Sequence, residues 1–307
     1  MFELNPAWIP LSVVLFAAAF VPAASGAAGS RATKATDVTP GEQYESGARL
    51  RMAVHGVSWQ LPDGWIGGVP LEGAAFLMGS NDQPGIGLVI PVATTDDDSL
   101  AALLHSEQDL GDGVVLEPIG EPTRSGEQLW QTYGSDSYTG RAVAVRGPHA
   151  QSVVYCFAGP KDQADEYDRL LQALVASLAF ESPDTAPLAA EWDARLRGMA
   201  LRTMSSYNSG GGSGGYSSES TLDLCSSGAF QYDSAGATSI YVPGATGSGV
   251  HEDRSAGRWS VGVEAGQPVL VLQHEDGRTT QHLLGFDGEK TFLDGERVFR
   301  VESENCR

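Results

Sequence analysis

Apolar and polar residues alternate with a period of two along most of this chain, and with a helical period in two places. The densest alternation runs over residues 257–300, where Asp276-Gly277, Asp287-Gly288 and Asp294-Gly295 separate short strand-like runs. Asp and Gly tolerate the positive φ that a tight hairpin turn demands, so this stretch predicts consecutive β-hairpins. Nearer the N-terminus, residues 54–61 alternate before Pro62-Asp63-Gly64 turns the chain and Trp65 packs after the turn. Further strand-like runs cover 74–78, 85–92, 114–120, 128–133, 141–146 and 152–158. The helical period shows first at 99–110, behind the acidic run Asp96-Asp97-Asp98, which suits a helix N-terminus and its dipole. It shows more strongly at 161–178, where Tyr167, Leu170, Leu171, Leu174, Val175 and Leu178 make one apolar stripe that has to lie on a sheet.

Breaks in the pattern divide the chain. Residues 4–30 carry no charge, and their most apolar part, 8–21, is short for a membrane span and suits a signal-peptide core. Ala23-Ala24-Ser25-Gly26-Ala27 offers a cleavage site, while Glu3 and the lack of Lys or Arg before the apolar run leave an uncleaved anchor as the alternative. Residues 1–26 are therefore read as signal peptide or anchor and 27–48 as a disordered spacer. A first folded domain covers 49–181. Residues 182–190, rich in Pro and Ala, read as a linker. A second domain covers 191–307, with strand-like runs at 197–207, 216–225, 228–233, 257–263, 268–274, 278–286, 290–293 and 297–302. The Gly-rich run 209–215 reads as a hairpin loop, and residues 234–255, rich in Gly and Ser, as a longer loop. The fold class is thus α+β: an antiparallel-sheet sandwich with two helices, then an all-β antiparallel barrel of about eight strands, since closure removes exposed edges.

Two resemblances add to this reading. Val57-Ser58-Trp59-Gln60-Leu61-Pro62-Asp63-Gly64-Trp65, with the amphipathic segment 170–180 at the other end, resembles the PsbP-like α/β/α sandwich of exported bacterial proteins. Leu222-Asp223-Leu224-Cys225-Ser226-Ser227-Gly228-Ala229-Phe230, Gly257-Arg258-Trp259 and Leu293-Asp294-Gly295-Glu296-Arg297-Val298-Phe299-Arg300 are similar to the small lipocalin-like, calycin-type barrels. In lipocalins the Gly-x-Trp lies on the first strand, whereas here it falls mid-domain, so a lipid cavity does not transfer. Both resemblances imply a fold and no catalytic residues.

Charge narrows the partners. With 19 Lys and Arg against 39 Asp and Glu the formal charge is −20, and no basic run offsets it, which argues against nucleic acid. Of the three cysteines, Cys156 lies in an apolar run and reads as a small buried hydrophobe. Cys225 and Cys306 are placed to bridge if the chain is exported, and closing a loop of about 80 residues contributes about 4–5 kcal/mol.

No catalytic signature emerges. The Gly-rich run lacks the Gly-Lys-Ser/Thr ending of a phosphate loop, and Gly-x-Ser-x-Gly matches fall only in low-complexity sequence. His55, His105 and His149 have no nucleophile near them in sequence, and Asp96-Asp97-Asp98 lacks a calcium-loop pattern. His251-Glu252-Asp253 and His274-Glu275-Asp276 repeat a polar triplet without converging ligand spacing, so no catalytic or metal residue and no cofactor is assigned. Trp59, Trp65, Trp130 and Trp259 read first as core. At a barrel mouth, Trp259, Arg258, Arg297 and Arg300 would be the candidate ligand contacts, provided the arginines point inward. The expectation is an extracytoplasmic, non-enzymatic protein that binds a small ligand or an envelope protein through its barrel and meets a membrane only through an uncleaved N-terminal segment. The alternatives are an enzyme with a site between its domains and a structural assembly factor using sheet edges.

Overall fold

The computed structural model describes residues 35–306 except 71–74, 93, 95, 112, 149–150, 209–213 and 243–244. The signal or anchor segment, His149 and the Gly-rich run up to residue 213 therefore lie outside the described residues. The chain forms two compact units, Met1–Asp184 and Thr185–Arg307.

The first unit is built on an eight-stranded antiparallel sheet. Its strands are β4 (Ile66–Gly68), β5 (Phe76–Gly79), β6 (Ile86–Val92), β7 (Gln108–Asp109), β8 (Val115–Ser125), β9 (Gln128–Gly134), β10 (Tyr138–Arg146) and β11 (Ser152–Pro160), in the spatial order β4-β5-β6-β11-β10-β9-β8-β7. The central strands β10 and β11 are apolar on both faces, and alternate residues feed two separate cores. Val143, Val145, Val153, Tyr155 and Phe157 join one, while Ala142, Ala144, Val154, Cys156 and Ala158 join the other. Helix α2 (Ala164–Ser177) covers the first face with Tyr167, Leu170, Leu171 and Leu174, the predicted stripe. A second sheet, β1 (Thr36–Asp37), β2 (Arg49–Met52), β3 (Val57–Gln60) and β12 (Ala179–Phe180), shares that core through Leu50, Met52, Val57 and Trp59. Helix α1 (Asp97–Leu104) covers the opposite face with Leu100 and Leu104.

Three readings are corrected here. Residues 35–48 are not a disordered spacer: β1 pairs with β2, and Tyr44 is buried in the core, its hydroxyl accepting from the Thr39 amide at 2.8 Å. Helix α1 stops at Leu104, not residue 110, because the Ser106 hydroxyl donates back to the Leu103 carbonyl at 2.7 Å and takes the place of a further turn. Helix α3 (Ala186–Leu196) occupies part of the stretch read as linker, with Pro187 in its first turn, where a fixed φ favours the helix.

The second unit is a closed barrel of eight antiparallel strands in sequential order: β13 (Met199–Asn208), β14 (Gly214–Leu224), β15 (Ala229–Val242), β16 (Ala245–Glu264), β17 (Gln267–His274), β18 (Thr279–Asp287), β19 (Lys290–Leu293) and β20 (Glu296–Glu302). The three Asp-Gly turns stand where predicted; Asp294 and Gly295 both take positive φ, at 53° and 81°, as a tight primed turn requires. The long Gly/Ser loop does not exist. Apart from 243–244, which lie outside the described residues, these residues form the far halves of β15 and β16, which stay in unbroken register from Ala229↔Arg258 to Val242↔Ala245.

Trp65 anchors the first unit: fully buried, it meets Phe157 edge-on at 4.9 Å and donates from Nε1 to Gln83 at 3.0 Å. Trp65→Ala is expected to lower the stability of this unit by about 3–5 kcal/mol, read from the shift of its urea midpoint.

Candidate functional site

The barrel interior follows from strand alternation. Leu201, Leu222, Leu224, Phe230, Trp259, Leu270, Leu272, Leu284 and Val298 point inward and form one buried cluster. Helix α3 adds Trp192 and Leu196 to the same cluster. Trp192 meets Phe286 edge-on at 6.4 Å, and the Arg195 guanidinium lies 4.3 Å from the Phe286 ring centre.

A C-terminal strap fastens this end of the barrel. Cys225 and Cys306 form a disulfide with Cα atoms 4.8 Å apart. Beside it the Asp223 carboxylate, 2 % exposed, accepts from the Ser303 hydroxyl at 2.6 Å and the Asn305 side-chain amide at 2.9 Å. The Ser303 amide donates to the Gly198 carbonyl at 2.9 Å. The cysteine positions were suggestive in the sequence; the buried Asp223 gave no signal, because its partners lie some 80 residues away.

The four candidate ligand contacts do not converge. Trp259 is buried in the cluster and donates from Nε1 to the Cys225 carbonyl at 2.9 Å, with Arg197 stacked 5.6 Å from its ring. Arg258, its neighbour in sequence, points outward and is exposed. Arg297 also faces outward, 5.0 Å from the Phe299 ring centre. Arg300 alone of the three arginines points inward: it pairs across the ladder with buried Leu201 and lies 5.8 Å from the Phe286 ring centre. Its Nη1 is buried without a hydrogen-bond partner among the described residues.

Above the packed end, the barrel strands diverge. β13 pairs with β20 only from Met199 to Arg202, and β17 pairs with β16 only from Gly257 to Glu264. The far halves of β13, β14, β15 and β16 continue as a four-stranded extension bonded to one another. One face carries hydroxyl contacts: Thr203 to Ser220 at 2.6 Å, Ser205 to Tyr216 at 3.3 Å, and Tyr207 stacked on Tyr216 at 6.1 Å. The other face carries Glu219, Thr221, Asp233, Glu252 and Arg254 around a shallow depression. The His251-Glu252-Asp253 triplet thus lies on strand β16.

The remaining polar candidates have local roles. Asp96 caps α1, accepting from the Ser99 amide at 2.8 Å, and hydrogen bonding to the Ser99 side chain and then to its amide lowers the Asp96 pKa. Asp97 pairs with Arg124 and Arg146. Burial lowers the pKa of His55, and His105 lies 3.9 Å from Glu121. His274 contacts the Thr280 hydroxyl at 3.1 Å, while Asp276 accepts from the Arg278 amide at 2.9 Å across the hairpin turn. Cys156 is buried, and desolvation pushes its thiol from 9.0 up to about 12. Among the described residues no group of three or more His, Cys, Asp or Glu side chains is placed to hold a metal ion, and no helix is long and apolar enough to cross a membrane.

No family model and no curated protein matches this chain. Among solved structures it is similar to cyanobacterial PsbP (CyanoP) from Synechocystis sp. PCC 6803, with 15% identity and a TM-score of 0.30, over 46% of this chain and 92% of that one. It is also similar to the di-domain ARO/CYC StfQ from the steffimycin biosynthetic pathway, with 12% identity and a TM-score of 0.15, over 72% and 71% of the two chains. At these scores neither likeness carries a functional argument.

Two outcomes test this chemistry. Cys306→Ser is expected to lower the stability of the barrel unit by about 4–5 kcal/mol, and peptide mapping without reduction should recover Cys225 and Cys306 joined. For Cys156, the unfolded thiol ionises near 9.0 and the folded thiol near 12, so the folded chain alone holds the proton between them. Stability from this group is complete below pH 9 and falls as pH rises through that window. Urea unfolding of wild type at pH 8 and pH 10.5 should therefore show a larger loss than Cys156→Ala shows.

Proposed function

We propose that this chain is an exported, non-enzymatic protein whose C-terminal barrel binds a protein partner from its outer surface. The observation that carries the reading is the occupancy of the barrel: leucines, Phe230, Trp259 and the α3 residues Trp192 and Leu196 fill the place where a lipocalin-like barrel would hold a small molecule. Export is supported by the Cys225–Cys306 disulfide, a bond that persists in oxidising compartments, together with the apolar run at residues 8–21. The net charge of −20 favours a partner other than nucleic acid. In this reading the first unit is a PsbP-like module and the second a lipocalin-like one that keeps the barrel without the cavity.

One observation favours a second reading, a small anionic ligand held inside the barrel. The inward Arg300 carries a buried Nη1 that has no hydrogen-bond partner among the described residues, and buried polar groups are normally satisfied. Titration with the fluorescent fatty acid cis-parinaric acid separates the two. The protein-binding reading expects no saturable one-to-one enhancement. Saturable binding that disappears in Arg300→Gln would replace it with the second reading.

A further inference from the structure

We propose that the free edge of β16, residues 248–255, is a strand-addition site for an extended polypeptide carrying alternate basic side chains; this rests on the reading of the barrel as a protein-binding module. β15 covers one side of β16 along residues 245–258, whereas β17 begins to cover the other side only at Gly257. Among the described residues no strand pairs with 248–255 on that second side. The direction of the unpaired groups follows from one hydrogen bond. The Glu275 amide donates to the Ala256 carbonyl at 3.0 Å, so Ala256 turns its backbone polar groups away from β15. Backbone groups alternate along an antiparallel strand, and the register here is unbroken. Ser248, Val250, Glu252 and Arg254 therefore direct N–H and C=O toward the open side. Val250 is 77% exposed, as an uncovered edge requires.

This edge lacks the prolines and the bulge that close other edges. In the first unit β8 carries Pro118 and Pro122 and a register shift between Ile119 and Thr123, which block strand addition. Residues 245–256 contain no proline and no lysine, and their pairing has no bulge. Charge selects the occupant. Around the depression the carboxylates Glu219, Asp233 and Glu252 outnumber Arg254, which sits 3.1 Å from Asp233 and 3.7 Å from Glu252, and Arg202 lies away from the edge on β13, across the ladder from Thr221. A second copy would bring its own Glu252 and Asp253 to the same edge, and each chain already carries −20. An added strand with Lys or Arg at every second position would instead set cations along this acidic face and bond its backbone to the free one.

The test uses the full chain and a fluorescein-labelled dodecapeptide alternating Lys and Thr, read by anisotropy. Saturable binding is expected, weakened by salt and absent for the peptide with Glu in place of Lys. Val250→Pro and Glu252→Pro each remove one outward N–H without touching the bonds to β15, and each should weaken binding about tenfold, the order expected for one well-made hydrogen bond and its neighbours. Glu252→Lys, which leaves the backbone intact, should weaken it by a similar factor and covers the case in which a proline variant misfolds. Amide exchange should slow at Val250, Glu252 and Arg254 when the peptide is bound. The edge assignment is overturned if the Lys-Thr peptide does not saturate, or if it binds with unchanged affinity to folded proline variants and without protecting those amides. Either result leaves the barrel's protein-binding role standing; only saturable cis-parinaric acid uptake removes that role.

Discussion

The second unit depends on a short seam. A row of strands becomes a barrel only if its first and last members pair, and here β13 and β20 meet over four residues, Met199–Arg202 against Phe299–Glu302. Such a ladder is marginal alone. The surrounding contacts make it hold: the disulfide fixes Cys306 to the end of β14, Asp223 receives two side-chain donors from the strap, and the Ser303 amide bonds to Gly198 at the start of β13. Leu201 within the seam and Val298 just beside it enter the core that α3 completes with Trp192 and Leu196. The closed end is therefore over-determined, and the filled interior follows from it.

The first unit solves a different problem. Its wide sheet has apolar residues on both faces of β10 and β11, so each face needs a cover. Helix α2 with the small sheet supplies one and α1 the other. Packing α2 so close leaves no room for a side chain at Gly159, where an added Cβ would fall 2.0 Å from the Tyr167 hydroxyl. That hydroxyl donates to the Pro84 carbonyl at 3.0 Å, tying the helix to the turn before β6. Tyr167 was legible in the sequence as part of an apolar stripe, but the glycine it needs across the interface was not.

How far the sequence could be read tracks where solvent lies. Hairpins with one wet and one dry face announce themselves by alternation, and Asp294-Gly295 marks its turn by residue type alone. The far halves of β15 and β16 are rich in Ser, Gly, Ala and Thr, so hydrophobic alternation is weak there and pairing partners do the specifying. Helix α3 hid in a Pro/Ala stretch, since its apolar residues Trp192 and Leu196 are too few to show a period. For the candidate site, composition located Trp259 and the arginines near one another in the barrel strands. It could not say which faced inward, because a shift of one residue in register exchanges the faces. The seam and its register place Arg300 inside and Arg297 outside.

The four-residue seam also orders events in time. Met199 finds its partner in Glu302, nearly the whole unit downstream, so nothing can seal until the last strand has been synthesised. The first unit, whose strands lie upstream, is free to fold as it emerges. The second must wait with its ribbons unjoined, and its distant pairing makes closure slow. Until then the leucines and Trp259 of the inner face have no closed interior to fill, so the interval before sealing is when the unit is most open to association with its neighbours.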